Sequence, residues 1–503
     1  MPEAHLTLDP HFTVGVVNRR LFGSFVEHLG RCVYDGIYEP GHVTADADGF
    51  REDVLELVRE LGVSTIRYPG GNFVSGFRWE DAIGPKADRP ARLDLAWHST
   101  ESNEVGIDEF AGWLGKTGSE LMYAVNLGTR GVQEALDVLE YANVRSGTKL
   151  SDARVANGAT EPYGIKMWCL GNEMDGPWQL GHRSADDYGK IASQTAKAMR
   201  QLDPSIELVA CGSSSAQMPT FGAWEHTVLK HTYDDVDFIS CHAYYEETDG
   251  DAASFLASSV NMDHFIESVI ATADAVGAEL KSAKKINISF DEWNVWYISR
   301  YHNIDKITDL ENWPTAPRLL EDSYSVLDAV VVGNLLISLL KHADRVTSAS
   351  LAQLVNVIAP IMTEPGGATW RQTTFFPFAV TSRLAVGSAL EVKLESDSYA
   401  SAQYGEVSTV DAVATHDADT GRTAIFLVNR SLDAATTVTI DVSHLGDVAV
   451  VEASTLADDD IYAANTLDNQ ERVALQPNES ATISDGTLTI QLPAVSWTAI
   501  ALA

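Results

Sequence analysis

Two carboxylates that follow apolar segments are the residues of this sequence best suited to chemistry. Glu173 ends the run IKMWCLGNE and Glu292 ends the run INISFDE, so each acid follows a segment with the composition of a buried strand. A pair of opposed carboxyl groups is the minimum equipment for glycoside hydrolysis. One group protonates the leaving oxygen, while the other attacks the anomeric carbon or activates water. The pair predicts a glycosidase if the fold brings the two side chains together.

Eight short apolar runs between residues 20 and 380 each precede a segment that can form a helix. They are LFGSFVEH, VSTIRYPG, LMYAVNLG, IKMWCLGNE, IELVACGSS, VDFISCHAYY, INISFDEWNVW and VTSASLAQLVN. This alternation implies a parallel sheet. Eight units over this length fit a closed (β/α)8 barrel, a TIM barrel, better than a doubly wound sheet. We therefore predict an α/β protein with a catalytic barrel over residues 20–384.

The remainder of the chain has the alternating pattern of antiparallel strands. Residues 385–503 include the hairpin VDAVATHDADTGRTAIFLVNR, whose turn contains Asp419-Thr420-Gly421. We predict an all-β, jelly-roll-like sandwich for this part. The early segment HLTLDP precedes the first barrel strand and cannot belong to the barrel. Residues 1–19 are therefore expected to pair with the carboxy-terminal sandwich.

The strongly acidic composition of the chain makes some classes of binding partner improbable. The 503 residues carry 35 Lys and Arg against 71 Asp and Glu, a net charge of −36. The negative electrostatic field of a protein with this charge repels phosphate backbones and anionic lipid. Neither nucleic acid nor a membrane is therefore an expected partner. The first residues have neither a basic start nor an apolar core typical of a secretion signal, which favours a cytoplasmic location. The four cysteines are far apart and are expected to be buried, reduced thiols.

Polar residues at the ends of the predicted strands form the candidate site, because the active site of a TIM barrel lies at the carboxyl ends of its strands. In chain order they are Glu27, His28, Arg67, Asn72, Asn126, Asn172, Glu173, Ser213 to Ser215, His242, Tyr244, Asp291, Glu292, Gln353 and Asn356. This set is rich in hydrogen-bonding groups and carboxylates and poor in lysine. It suits a neutral, polyhydroxylated ligand.

Five segments also resemble one known family. CLGNEMDGPWQLGH and ISFDEWNVWY are similar to the two catalytic signatures of family 51 of the glycoside hydrolases, the α-L-arabinofuranosidases. The segments FGSFVEHLGRCVYDGIYEP, RYPGGNFVSGFRWEDAIGP and CHAYY resemble other signatures of that family and occur in the same order. The resemblance runs from about residue 15 to the end. It implies a retaining barrel enzyme with one catalytic Glu on strand four and another on strand seven.

The resemblance implies a role for each matching residue. Glu173 would be the general acid/base, and Glu292 would be the nucleophile that forms a covalent arabinosyl-enzyme. Asn172 would hydrogen-bond the sugar 2-hydroxyl in an interaction that strengthens in the transition state. Arg67 and Tyr244 would hold Glu292 ionised and oriented.

Three further residues, Glu27, Asn72 and Gln353, would join Tyr244 in binding one furanose ring. His242 would either support the catalytic residues or contact the sugar.

Three tryptophans in loops after strand ends are candidate contacts for the part of the substrate beyond the scissile bond. Trp97, Trp178 and Trp296 can stack a flat aromatic face on a sugar ring, although core packing is the alternative for each. The polar surroundings of Trp97 predict that it is exposed.

Together these features favour an exo-acting, retaining α-L-arabinofuranosidase that removes terminal arabinofuranosyl groups from arabinan or arabinoxylan oligosaccharides. We expect no cofactor and no metal, and the family resemblance implies a homo-oligomer, commonly a hexamer. One alternative is a related retaining enzyme, a β-xylosidase or an endo-glucanase. A second is a metal-dependent hydrolase that uses His28 and His242, although the sequence has no HExxH motif. A third is a non-catalytic sugar-binding protein.

Overall fold

A closed barrel of eight parallel strands forms the larger part of the chain. The computed structural model describes residues 2–503. The barrel strands, first to eighth in chain order, are Gly23–Phe25, Thr65–Tyr68, Glu120–Ala124, Met167–Cys169, Glu207–Ala210, Phe238–Tyr245, Asn287–Val295 and Val346–Ala352. Each overlaps one of the predicted apolar runs, and the eighth strand pairs with the first to close the barrel. The predicted TIM barrel is confirmed.

Helices connect and surround these strands. Those of eight or more residues are Glu52–Leu61, Ile107–Thr117, Val132–Asn143, Lys149–Ala156, Ala185–Leu202, Ala223–Thr232, Ser258–Leu280, Val326–Lys341 and Phe375–Leu384. Helix Ile107–Thr117 shows how the sequence sets these elements. Its Phe110 and Leu114, one turn apart, are buried on one face, and the helix ends where Gly118 adopts a left-handed φ of 78°.

Two antiparallel-rich sheets form the separate carboxy-terminal part, which confirms the predicted β-rich domain. In spatial order, the larger sheet contains Thr13–Val16, Ser388–Leu390, Val410–Asp417, Arg422–Asn429, Ser496–Leu502, Val450–Leu456 and Gln476–Pro477. The smaller sheet contains Lys393–Ser396, Glu3–Thr7, Thr436–Asp441, Thr487–Leu492 and Thr482–Ser484. The amino-terminal residues thus contribute one strand to each sheet.

Helix Val326–Lys341 joins the barrel to the sandwich. It begins with a capping box between Ser325 and Asp328, and its residues 326–340 are all buried. The helix contacts the seventh and eighth barrel strands on one side and the central strands of the larger sheet on the other. Gly333 permits the closest approach, because a Cβ atom at this position would lie 2.2 Å from Cδ1 of Trp497. One face of the larger sheet therefore belongs to the core of the barrel, whereas the two sheets enclose a second core between them.

All four cysteines are buried free thiols, as predicted. Within residues 2–503, no helix combines the length and the apolar character needed to cross a membrane.

Candidate active site

The two carboxylates singled out in the sequence meet at the mouth of the barrel. Glu173, Glu292 and His242 each offer one polar side-chain atom, and these three atoms lie within 4.8 Å of one another. The two acids are 8% and 5% exposed, respectively. The carboxyl ends of the fourth and seventh strands thus place two acidic groups close enough to act on the two sides of one bond.

A bulge in the seventh strand directs two consecutive acids toward one histidine. Ser240 pairs with Ser289, but His242 pairs with Glu292, so the seventh strand has one more residue than the sixth over this stretch. Such an insertion re-aims side chains that would otherwise point to opposite faces. Asp291 Oδ1 consequently lies 2.8 Å from His242 Nε2, while Glu292 Oε2 lies 3.6 Å from Nδ1 of the same ring.

Both oxygens of Glu292 are bound by donors. Arg67 Nη1 donates to Oε1 at 2.7 Å, and the Tyr244 hydroxyl donates to Oε2 at 2.8 Å. Burial raises the pKa of Glu292, whereas the positive charges of His242 and Arg67 act in the opposite direction. These donors bind the carboxylate form, fix its orientation and stabilise its negative charge.

His242 lies between carboxylates on both sides of its ring. Nδ1 is 2.9 Å from Glu173 Oε1, and Nε2 is 2.8 Å from Asp291 Oδ1. Burial alone would lower the pKa of His242, but the charge of Glu292 and the bonds to Asp291 and Glu173 raise it well above the usual value. A ring that donates from both nitrogens is an imidazolium and has no lone pair for a metal. This geometry favours a positioning role over the metal-ligand alternative.

His28, the other histidine of that alternative, lies in a separate cluster. Its Nδ1 is 2.9 Å from Glu101 Oε2, and its Nε2 is 2.9 Å from the Tyr68 hydroxyl.

The turn after the fourth strand is held in an uncommon backbone conformation. Glu173 has a φ of 43°, in the left-handed region that a non-glycine residue seldom adopts. Asn172 beside it accepts a hydrogen bond from Arg67 Nη2 at 2.7 Å, and its own amide lies 3.3 Å from Asn72 Oδ1. Arg67 therefore links the turn of Glu173 to Glu292 across the barrel mouth.

Glu27 lies next to Glu292 at the mouth of the barrel, since a Cβ atom at Gly71 would lie 3.3 Å from Oε2 of Glu27 and 3.1 Å from Oε1 of Glu292. Glu27 Oε1 accepts hydrogen bonds from the Phe73 backbone N–H at 2.9 Å and from Trp97 Nε1 at 3.0 Å, and Gln353 Nε2 donates to Oε2 at 3.1 Å. Burial raises the pKa of Glu27 to about 8. Trp97 is only 8% exposed, so the prediction that it is exposed is wrong. The polar residues next to Trp97 in the sequence gave no indication that its indole N–H is buried against Glu27.

Two consecutive glycines let the second-strand loop approach these acids. A Cβ atom at Gly70 would lie 2.5 Å from Cγ of Glu27, and one at Gly71 would lie 3.1 Å from Oε1 of Glu292. The PGGN segment therefore brings Asn72 to the pocket with no side chain in between.

Replacing Glu27 with glutamine is expected to stabilise the protein at pH 8 and to have little effect near pH 4. With a pKa of about 8 in the fold and 4.5 as its ordinary value, Glu27 must bind a proton on folding between these limits. Wild-type stability therefore falls as pH rises through this window, by an amount on the order of a few kcal/mol.

The glutamine has no proton to lose. Gln353 can match the new amide by turning its own, because its Oε1 has no partner. Urea unfolding of both proteins at the two pH values measures the difference. Destabilisation of the variant at pH 8 would contradict the assignment.

The remaining aromatic candidates differ in exposure. Trp178 is 54% exposed, and its Nε1 donates to Glu173 Oε2 at 2.7 Å. Trp296 is half-buried and packs edge-on against Tyr244, with ring centroids 5.0 Å apart. Tyr301, on a short helical turn after the seventh strand, contacts both Trp296 and Trp97. These side chains form the rim of the pocket.

Sequence reasoning gave no role to two residues of this site. Gln179 is buried and lies 3.4 Å from the amide of Asn172, while its own amide donates to Ser75 at 2.5 Å. Its position inside a turn gave no signal of burial. Tyr301 lies in a long loop without periodicity, so its contact with the pocket depends on the loop's path.

Comparison with known proteins finds relatives that match almost the whole chain. A family described as the α-L-arabinofuranosidase 1 domain matches residues 57–256, and the α-L-arabinofuranosidase C-terminal domain matches residues 291–496. An exo-α-(1→6)-L-arabinofuranosidase of Bifidobacterium longum is 60% identical over 99% of this chain and 97% of its own. An intracellular exo-α-(1→5)-L-arabinofuranosidase of Streptomyces lividans is 61% identical over 99% of this chain and 75% of its own.

Solved structures show the same relationship over the whole chain. A family 51 α-L-arabinofuranosidase from Bifidobacterium longum has a TM-score of 0.97 and 50% identity, and the match covers 100% of both chains. The arabinose complex of the Thermotoga maritima α-L-arabinofuranosidase has a TM-score of 0.88 and 33% identity, covering 99% of each chain. With the carboxylate pair at the mouth of a TIM barrel, these similarities show that the chain belongs to family 51 of the glycoside hydrolases, the α-L-arabinofuranosidases.

Proposed function

We propose that this protein is an exo-acting, retaining α-L-arabinofuranosidase with Glu292 as nucleophile and Glu173 as general acid/base. In the first step, a Glu292 oxygen bonds to the anomeric carbon as the glycosidic bond breaks, and the proton of Glu173 passes to the leaving oxygen. In the second step, Glu173 takes a proton from water, and the water oxygen displaces Glu292 from that carbon. Configuration is retained because two inversions occur.

The close approach of the two acids is the observation that carries this proposal. Polar atoms of Glu173 and Glu292 lie within 4.8 Å of each other. Retaining glycosidases keep their carboxyl groups roughly 5–5.5 Å apart, whereas inverting enzymes separate them by roughly 6.5–9.5 Å to admit a water molecule. The assignment of roles follows the hydrogen bonds. Arg67 and Tyr244 hold Glu292 as a carboxylate, and Glu173 lies beside the exposed Trp178, on the side open to a leaving group.

The pocket wall supports exo action on a single terminal sugar. Glu27, Asn72 and Gln353 are proposed to bind the hydroxyls of one furanose ring, and Asn172 the 2-hydroxyl. Glu27 is hydrogen-bonded to Trp97 and Gln353 in the buried part of the mouth, and this supports a binding place for one ring there. Terminal arabinofuranosyl groups of short arabinan or arabinoxylan oligosaccharides are the proposed substrates.

The test is the hydrolysis of 4-nitrophenyl α-L-arabinofuranoside, followed by proton NMR from the first minutes of reaction. We expect the α anomer of arabinose to form first and then mutarotate. Initial formation of the β anomer would overturn the retaining mechanism. Turnover of a 4-nitrophenyl β-xyloside or a glucan in place of the arabinoside would keep the chemistry and replace the substrate.

The linkage is tested separately, because the similar enzymes of Bifidobacterium longum and Streptomyces lividans are named for α-(1→6) and α-(1→5) bonds, respectively. Initial rates on (1→5)-, (1→6)- and (1→3)-linked arabinofuranosyl disaccharides rank the three bonds.

A cytoplasmic homo-oligomer completes the proposal. Enzymes of Streptomyces lividans and Bacillus subtilis that resemble this chain are named intracellular. Cell fractionation tests the location, and light scattering of the purified protein tests the oligomeric state.

A further inference from the structure

We propose that Trp178 is a positioning residue whose indole N–H holds the outer oxygen of Glu173 and favours its ionised form. This inference rests on the proposed acid/base role of Glu173. It is distinct from stacking on a sugar ring, because the contact involves the N–H at the edge of the indole.

The two oxygens of Glu173 have different partners. Oε1 is bound by His242 Nδ1 at 2.9 Å, inside the buried cluster, whereas Oε2 is bound by Trp178 Nε1 at 2.7 Å. His242 is 2% exposed, while Trp178 is 54% exposed. Oε2 is therefore the oxygen on the open side, where it can give a proton to a leaving group and take one from water.

The turn is shaped to deliver the indole to that oxygen. Trp178 lies over Gly176, where a Cβ atom would be 2.5 Å from Cε2 and 3.0 Å from Nε1 of the indole. Any larger residue at position 176 would push the ring away from Glu173. The glycine is thus a steric requirement for the hydrogen bond.

This bond bears on both steps of the reaction. An indole N–H can only donate, so it stabilises a carboxylate more than a neutral carboxylic acid. It opposes protonation of Glu173 before the first step and supports the ionised form that accepts a proton from water in the second. It also fixes the direction of Oε2, and orientation of this kind contributes strongly to catalysis.

The experiment compares wild type with Trp178→Phe, which keeps an aromatic ring and removes the donor. We expect the basic limb of the pH profile of kcat/KM to move upward by about 1–2 pH units, since a hydrogen bond to a charged group has this order of effect. We also expect kcat/KM at the optimum to fall about tenfold for a disaccharide. For 4-nitrophenyl α-L-arabinofuranoside, whose leaving group needs little protonation, the fall should be under about threefold.

Gly176→Ala provides a second route to the same defect, because it displaces the indole without removing it. It should shift the limb in the same direction. Trp296→Phe is the matched control, since this tryptophan at the same rim has an Nε1 atom without a partner. It should leave the limb where it is in wild type, whatever its effect on KM.

The inference is overturned if the basic limb of the kcat/KM profile does not move in either Trp178→Phe or Gly176→Ala. It is also overturned if Trp178→Phe lowers kcat/KM equally for both substrates and does so through KM alone. Glu173→Ala separates this failure from failure of the proposed function. If that variant shows the strong dependence on leaving group and the two others do not, only the role of Trp178 is refuted. If Glu173→Ala itself shows none, the acid/base assignment fails first.

Discussion

Glu292→Ala is expected to lower kcat/KM for 4-nitrophenyl α-L-arabinofuranoside by about 10⁴-fold or more, because the nucleophile of a covalent mechanism has no substitute in the site. Asp291 precedes it, but that carboxylate is bound to His242 and 3.7 Å from Arg67 Nε. The protein should remain folded, since Arg67 retains Asn172 and Asp291 as partners. Steady-state assays of 4-nitrophenol release measure kcat/KM, and thermal unfolding shows whether the variant is folded.

Azide then identifies the face of attack in the same variant. The space left by Glu292 lies on the β face of an α-arabinofuranoside, so azide entering there should form a carbon–nitrogen bond as 4-nitrophenolate leaves. The product expected is the β-arabinosyl azide, inverted relative to substrate. Glu134→Gln is the matched control, as Glu134 is also a buried acid, but its ion-pair partner is Arg130 and not a residue of the catalytic cluster. Activity of Glu292→Ala within tenfold of wild type would refute the nucleophile assignment.

The sequence identifies the barrel and the residues at its mouth because both depend on local patterns. A buried parallel strand requires a run of apolar residues, and the first polar residues after each run must lie at the active face of a closed barrel. Glu27, Arg67, Asn172 and Tyr244 all fall at such positions, and the structure places each of them in the hydrogen-bonded cluster. The positions of these residues follow from the strands alone and do not depend on the paths of the loops.

Contacts made by loops and by irregular strands could not be predicted in this way. The bulge that turns both Asp291 and Glu292 toward His242 leaves no mark in an apolar run. Trp97 has polar neighbours in sequence, yet its hairpin folds inward and its indole is buried against Glu27. In both cases, the position of a side chain depends on partners distant in the chain, which pattern and propensity do not report.

Glu173→Ala is expected to give losses that depend on the leaving group. For arabinofuranosyl oligosaccharides, whose alkoxide leaving groups need a proton, kcat/KM should fall by about 10²–10⁴-fold. For 4-nitrophenyl α-L-arabinofuranoside, the first step proceeds without the acid, but the second lacks its base. The arabinosyl-enzyme on Glu292 should therefore accumulate, and a burst of 4-nitrophenol should precede a slow steady state. A loss of equal size on both substrates would contradict this assignment.

Azide should restore turnover of Glu173→Ala because it needs no general base to attack the arabinosyl-enzyme. It enters from the α face that water normally uses, and the product should be the α-arabinosyl azide, with the configuration of the substrate. The two alanine variants are thus expected to give azides of opposite configuration, since each opens a different face of the same carbon. If the roles of Glu173 and Glu292 were exchanged, the two products would be exchanged as well. Stereochemistry therefore assigns both carboxylates independently of how large either rate loss is.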